Sequence, residues 1–249
     1  MCETLGIVEF GNSRFLESRN SVRQADRRFG DKPLLQWVIR RVTESLHLDQ
    51  VIVLTDPNHE ALARALAPQD VAVFASRAAD LLSRYVDAIE ALRPSQIVRV
   101  TLDHPFVDPT LIDRLVTTAN KHPGLSYIGF FLQNGQHAVA SPLGVFAEWC
   151  TAQALIQADR ECFDLQERDS ITRFIYSRPE QFSMRLIPAP HELDRDDLRL
   201  RIDHEEDWEH AQTIIETLGV VDLDWRRITD LLKMHPDIRQ RMAVLNAAE

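Results

Sequence analysis

Lysine is scarce in this chain: Lys32, Lys121 and Lys233 are its only three, and arginine supplies the remaining positive charge. Positive charge is also in deficit overall, with a net charge of −10 over 249 residues. That balance excludes a general nucleic-acid binder, because a phosphate backbone needs a basic field. It leaves room for a local basic patch around one small phosphate ligand. Cysteine is limited to Cys2, Cys150 and Cys162, an odd number with no C-x-x-C spacing. Neither a disulfide framework nor a zinc knuckle fits, and a reducing cytoplasm does. No apolar run reaches the length of a membrane span. The first ten residues hold Glu3 and Glu9 but no basic residue, unlike a signal peptide. Gly/Ser tracts, repeats and low-complexity segments are missing too. One domain over residues 1–249 is expected, with 224–249 as a helical extension.

Strand-like and helix-like segments alternate. Residues 5–10 form an apolar run. Residues 32–46 place Leu34, Leu35, Val38, Ile39, Val42 and Leu46 at helical spacing. Residues 51–55 (V-I-V-L-T) read as a strand buried on both faces. A helix is expected over 58–66, a strand over 71–74, a helix over 80–92 and a strand over 96–102. Asp108-Pro109 suits the N-cap and first position of a helix running to about residue 122. This order predicts an α/β fold with a mostly parallel sheet flanked by helices, whose ligands sit at the carboxyl ends of the strands. Farther on, 127–132 reads as a strand, 145–158 and 171–177 as helices, and 182–187 and 198–202 as strands. Residues 205–218 form a helix, and two short C-terminal helices are split at Pro236.

Two of these strands end alike. I-V-R-V-T-L-D-H closes on Asp103-His104, and L-R-L-R-I-D-H closes on Asp203-His204. An aspartate at a strand end commonly caps local backbone N–H groups. Two of them at one sheet edge would need a cation between them, because like charges resist ionising together. Mg²⁺ uses one or two carboxylates and completes its shell with water and phosphate oxygens. The pattern alone leaves both readings open. The histidines beside the aspartates read as loop residues, since a hard cation prefers oxygen.

The segment after the first strand contains no G-x-x-x-x-G-K-[ST] and no G-x-G-x-x-G. It does join Gly11, Asn12 and Ser13 to Arg14, Arg19, Arg23, Arg27 and Arg28. Small residues let backbone N–H groups approach an anion, and arginines add forked donors. The cluster is either a phosphate site or a solvated basic face.

These residues resemble the cytidylyltransferases that make CMP-activated sugar acids, most closely the spore-coat-polysaccharide type. CMP-Kdo and CMP-sialate synthetases are more distant. Gly11-Asn12-Ser13-Arg14-Phe15-Leu16 is similar to that family's G-S-T-R-L-P, and Lys32-Pro33-Leu34-Leu35 to its K-P-L-L. Asp80-Leu81-Leu82-Ser83-Arg84-Tyr85 is similar to D-V-L-D-R-Y. Val98–Pro109 resembles V-R-I-T-G-D-C-P-L-I-D-P, and Leu198–Glu209 resembles L-R-L-T-V-D-T-P-E-D-L-E. The resemblance implies a nucleotide-diphosphosugar-transferase-like (GT-A-like, Rossmannoid) fold. It implies a cytidylyltransferase of nucleotide-sugar and polysaccharide biosynthesis that transfers CMP from CTP to a sugar or sugar-acid-like acceptor, releasing pyrophosphate. Asp103 and Asp203 would hold Mg²⁺, and Arg14 would neutralise the triphosphate. Gly11, Asn12, Ser13, Arg19, Arg23, Arg84 and Arg99 would complete the nucleotide site. A homodimer is the assembly that analogy suggests.

The chain departs from that pattern at several points. The first loop has no P-G-K. Leu102 stands where the family has Gly, so its side chain is expected to crowd the nucleotide. Ser83 replaces Asp. Ala140–Phe146 stands against G-L-D-V-E-V-F without its carboxylates, and Asp169-Ser170-Ile171-Thr172 stands against E-H-V-T without its His. Two functions compete: a working nucleotidyltransferase with an altered acceptor, and a catalytically degenerate nucleotide-binding or partner-subunit relative. A glycosyltransferase would want D-x-D, and T-L-D does not supply it.

Overall fold

Uninterrupted apolar runs make the first half of the chain into strands covered on both faces. The computed structural model describes residues 3–11, 21–220 and 223–248. In chain order come β1 (Thr4–Glu9), α1 (Ser21–Gln24), a two-residue ribbon of β2 (Arg28–Phe29) and β3 (Lys32–Pro33), and α2 (Leu34–Thr43). Then follow β4 (Gln50–Thr55), α3 (Glu60–Leu66), β5 (Ala72–Ala75), α4 (Leu81–Leu92), β6 (Gln96–Thr101), α5 (Pro109–Lys121) and β7 (Tyr127–Phe131). The second half adds β8 (Glu148–Thr151), α6 (Ala152–Glu161), α7 (Leu165–Asp169), α8 (Arg173–Tyr176), β9 (Met184–Pro188), α9 (Glu205–Leu218), α10 (Trp225–Met234) and α11 (Pro236–Ala247). Seven strands form one sheet in the order β5-β4-β1-β6-β8-β7-β9. All neighbours are parallel except β8, which runs against both β6 and β7. Among the described residues no helix is long and apolar enough to cross a membrane.

The expected helix over 145–158 is half wrong. Glu148–Thr151 is a strand wedged between β6 and β7, and only from Ala152 does the chain turn helical, with the Thr151 hydroxyl capping it. Apolar Trp149 and Cys150 face opposite sides of a sheet there, and a short central strand leaves no alternation to read. The expected strand over 198–202 joins no sheet. It is an irregular segment pinned by its backbone, Leu200 and Arg201 donating N–H to the Pro142 carbonyl and Ile202 to that of Asp103. The helix expected over 32–46 spans only Leu34–Thr43, and Leu46 is exposed. The helix expected from residue 58 begins at Glu60, and that over 171–177 keeps only Arg173–Tyr176.

Asp108 caps α5 as its D-P pairing predicts, accepting from the N–H groups of Thr110 and Leu111. Its other oxygen accepts the N–H of Trp225 at 3.0 Å, so the cap also anchors the C-terminal helices. From α2, Trp37 donates to the Pro105 carbonyl at 2.8 Å and buried Arg41 to the Val107 carbonyl at 3.0 Å. Phe106 and Val107 are buried beneath them. The loop that carries Asp103 is thus held from behind by three elements.

Candidate active site

The order of the sheet places a switch point between β1 and β6, where the chain departs to either side and the carboxyl ends form a crevice. Glu9 ends β1, and Asp103 follows the end of β6. The second aspartate arrives from a distant part of the sequence. The Ile202 N–H donates to the Asp103 carbonyl at 2.9 Å, which brings residues 202–203 to the same edge.

The two carboxylates differ sharply in surroundings. Asp103 Oδ1 is buried and has no hydrogen-bond partner among the described residues, while the side chain as a whole keeps 30% exposure. Burial alone would raise its carboxyl pKa. His104, the Thr101 hydroxyl and Arg201 outweigh that and hold it below the usual carboxylate range. Asp203 is only 4% exposed, and its Oδ2 accepts from Arg201 Nε at 2.6 Å and Arg199 Nη2 at 3.1 Å. Arg199 is itself buried. Its Nε donates to Asp207 at 2.8 Å, and Asp207 accepts the N–H groups of Asp203 and His204 at 2.9 Å each. Asn246, on the last helix, accepts from Arg199 and donates to the Asp196 and Leu198 carbonyls. A whole network therefore positions Asp203.

Set against a divalent cation, Asp103 fits: it offers an orphaned oxygen that a hard ion would satisfy. Asp203 fits less well, because guanidiniums already occupy its Oδ2. No group of three or more His, Cys, Asp or Glu side chains arranged to hold a metal occurs among the described residues. His104, expected to be a loop residue, is 2% exposed and its Nδ1 donates to the Phe146 carbonyl at 3.1 Å. Burial pushes its imidazole below the ordinary value.

Leu102 does not crowd this edge. It is 2% exposed and packs into the main hydrophobic core with Val100 and Phe106. The alternation of the strand turns residue 102 inward and residue 103 to the crevice.

Arg99 is committed elsewhere. It lies between Glu9 at 2.5 Å and Glu148 at 2.8 Å. Burial would lower its pKa, but the two carboxylates raise it well above the ordinary value. Tyr85 donates to Glu9, and Tyr127 and Thr172 donate to Glu148. Arg84 donates to the Ala78 carbonyl at 3.2 Å and stands 3.6 Å from Asp56. Gly11 leaves β1 with φ +129°, and a Cβ there would come within 2.7 Å of Asp56 Oδ2. That close approach reserves the position for glycine.

Asn12, Ser13, Arg14 and Arg19 lie outside the described residues, as does the side chain of Arg23. Of the later loop arginines, Arg27 forks onto Glu205 at 2.6 and 2.7 Å and covers the Trp208 ring at 4.1 Å. Arg28 donates to the Asp31 carbonyl. Ser83 and Asp80 join Arg168 and Asp159 in a cluster tying α4 to α6 and α7. Asp169 accepts the Leu81 N–H at the start of α4. Ser83 and Asp169, two of the departures from the family pattern, thus hold the start of α4 in place.

The residue that sequence reading passed over is Arg201. Its signal was the two-residue spacing of Arg199, Arg201 and Asp203, which sets all three on one side of an extended segment.

A family model described as cytidylyltransferase matches residues 27–246. The chain is 29% identical over 219 residues to the spore coat polysaccharide biosynthesis protein SpsF of Bacillus subtilis (strain 168), covering 85% of this chain and 88% of that one. A solved cytidylyltransferase from Leptospira borgpetersenii serovar Hardjo-bovis superposes with a TM-score of 0.79 at 25% identity, over 96% of both chains. A CMP:2-keto-3-deoxy-manno-octonic acid synthetase solved with CTP shares the fold, with a TM-score of 0.62 at 11% identity over 86% of this chain and 99% of that one.

Proposed function

We propose, for a chain that belongs to the cytidylyltransferase family, that it transfers CMP from CTP to a hydroxyl of a sugar or sugar-acid-like acceptor. The acceptor oxygen forms a bond to the α-phosphorus, the bond to the β-phosphate oxygen breaks, pyrophosphate leaves and the hydroxyl proton passes to solvent. The observation that carries this reading is Asp103 at the switch point, with a buried oxygen that accepts no hydrogen bond among the described residues. A buried carboxylate oxygen in that state costs stability unless a ligand satisfies it.

The chain's own part is positioning and charge balance, the two things in-line phosphoryl chemistry chiefly needs. Asp103 is the residue that would hold Mg²⁺, and the ion would offset triphosphate charge. Gly11, Asn12, Ser13, Arg14, Arg19 and Arg23 are proposed to lie along the phosphates, with Arg84 supporting the nucleotide from α4. Arg99 would act behind them, by fixing Glu9 at the end of β1. The spore coat polysaccharide role of the Bacillus relative supports a polysaccharide or other nucleotide-sugar route. The cytoplasm, which holds the triphosphates, is the proposed location.

The degenerate alternative rests on one observation, the guanidiniums on Asp203. Calorimetry with CTP, UTP, ATP and GTP, each with and without Mg²⁺, tests the main reading, together with pyrophosphate release over a panel of acidic sugars. CTP binding with release supports it. Absence of binding by every triphosphate overturns it, and binding without release on any acceptor favours the degenerate relative.

A further inference from the structure

The Asp103–Asp203 pair already contains a cation. Arg201 Nε lies 2.6 Å from Asp203 Oδ2 and 3.9 Å from Asp103 Oδ2, so one guanidinium stands between the two carboxylates. Two carboxylates at one edge require positive charge, and here the polypeptide supplies it.

This arrangement is built rather than incidental. The Arg201 side chain keeps only 15% exposure. Its backbone N–H and that of Leu200 donate to the Pro142 carbonyl. Gly144 lies directly against it with φ +58°, and a Cβ at Gly144 would meet Arg201 N at 2.5 Å and Leu200 C at 2.7 Å. The segment therefore has little room to withdraw. From the other side Arg199 reaches the same Asp203 oxygen, so that oxygen carries two guanidinium contacts. A divalent ion placed between the aspartates would stand within a few ångströms of both positive groups. Repulsion at that range opposes entry of the ion. Asp103 Oδ1 stands 3.9 Å from His104 Nε2 and has no hydrogen-bond partner among the described residues.

We propose that Arg201 is a resident counter-charge that withdraws Asp203 from metal coordination. The site is left with one carboxylate, Asp103, for a divalent cation. A single carboxylate holds a hard cation weakly unless phosphate oxygens complete the shell. Metal entry is thereby tied to triphosphate entry, and Arg201 acts as a positioning residue for that order. This inference rests on the reading of the site as a triphosphate site.

The test is direct Mn²⁺ binding without nucleotide, followed by the electron paramagnetic resonance signal of the free ion. Wild type is expected to bind weakly. Arg201→Gln, which keeps a polar amide and loses the charge, is expected to tighten Mn²⁺ binding on the order of tenfold or more. Arg201→Met should do the same, and Arg201→Lys should stay within about twofold of wild type, because it keeps the charge. Adding Asp203→Asn to Arg201→Gln should return the weak binding. Circular dichroism melts show which variants are folded, and the Gln and Met variants are independent routes to the same answer. Unchanged Mn²⁺ affinity in a folded Gln or Met variant overturns the proposal. So does tight wild-type binding that Asp203→Asn abolishes. Calorimetry with CTP is run separately: its failure removes the proposed reaction, while the Mn²⁺ titration still decides the role of Arg201.

Discussion

The Ile202 N–H donates to the Asp103 carbonyl at 2.9 Å. That one backbone contact joins the end of β6 to the segment preceding Asp203, so the two aspartates meet at one edge although Leu198–Ile202 is no strand. The pairing depends on Pro142, Gly144 and Asn246 as much as on the aspartates themselves.

Asp103→Asn keeps the size of the side chain and removes its charge. It should abolish the Mg²⁺-dependent part of triphosphate affinity, a loss of about tenfold or more, as read by calorimetry with and without Mg²⁺. Melting should fall modestly, because the charge lost is one that His104 and Arg201 favour in the folded state. An unchanged Mg²⁺ dependence would remove Asp103 from the metal assignment.

Gly144→Ala should harm the site from a distance. Its Cβ would press into the backbone of residues 200–201 in a left-handed conformation that alanine resists. The expected result is a loss of stability above about 1 kcal/mol together with weaker CTP binding. A fully stable variant with unaltered binding would show that residues 200–203 can move aside.

Asp108→Ala removes a helix cap and also orphans the Trp225 N–H. The cap is worth about 1 kcal/mol, and a buried unpaired donor costs about 1–3 kcal/mol more. Urea unfolding should register the sum, and limited proteolysis should cut first near residue 225. Loss of only the cap energy would mean that another acceptor takes the Trp225 N–H.

Arg99→Met strands two carboxylates, Glu9 and Glu148, beside each other in a nearly buried site. Breaking such a pair typically costs about 3–5 kcal/mol. Adding Glu148→Gln to Arg99→Met should recover part of that loss, because one stranded charge disappears. Equal stability of the single and double variants would mean that Glu148 is already relieved by Tyr127 and Thr172.

Stability should fall on acidification. His104 is buried with its imidazole pKa pushed below the ordinary value. Between its folded value and about 6.5 the unfolded chain binds more protons than the folded one, so stability rises with pH there. The contribution is whole above about pH 6.5 and is lost as pH falls from there through the lower folded value. His137 and His210 are also depressed by burial and act in the same direction. Melting temperatures measured from pH 7.5 down to 5 should decline, and His104→Asn should flatten part of the slope. A slope identical to wild type would assign the effect to the other two histidines.

Much of this was legible before any coordinates. Continuous apolar runs named β1, β4 and β6, because a strand covered on both faces shows as an unbroken run. Asp108-Pro109 marked a helix start because both residues act within one turn of backbone. Asp103 and Asp203 stood out because a strand-like run ended on each. Those are local signals, carried by residues adjacent in the chain. What tertiary structure alone decided was who faces whom across long separations. Glu148–Thr151 became a strand because β6 and β7 left a slot for it. Leu102 went into the core while Asp103 met the crevice, and Arg99 was consumed by Glu9 and Glu148. Above all, Arg201 came to lie between two aspartates about a hundred residues apart in sequence; its spacing from Asp203 was local, but its approach to Asp103 was made by folding.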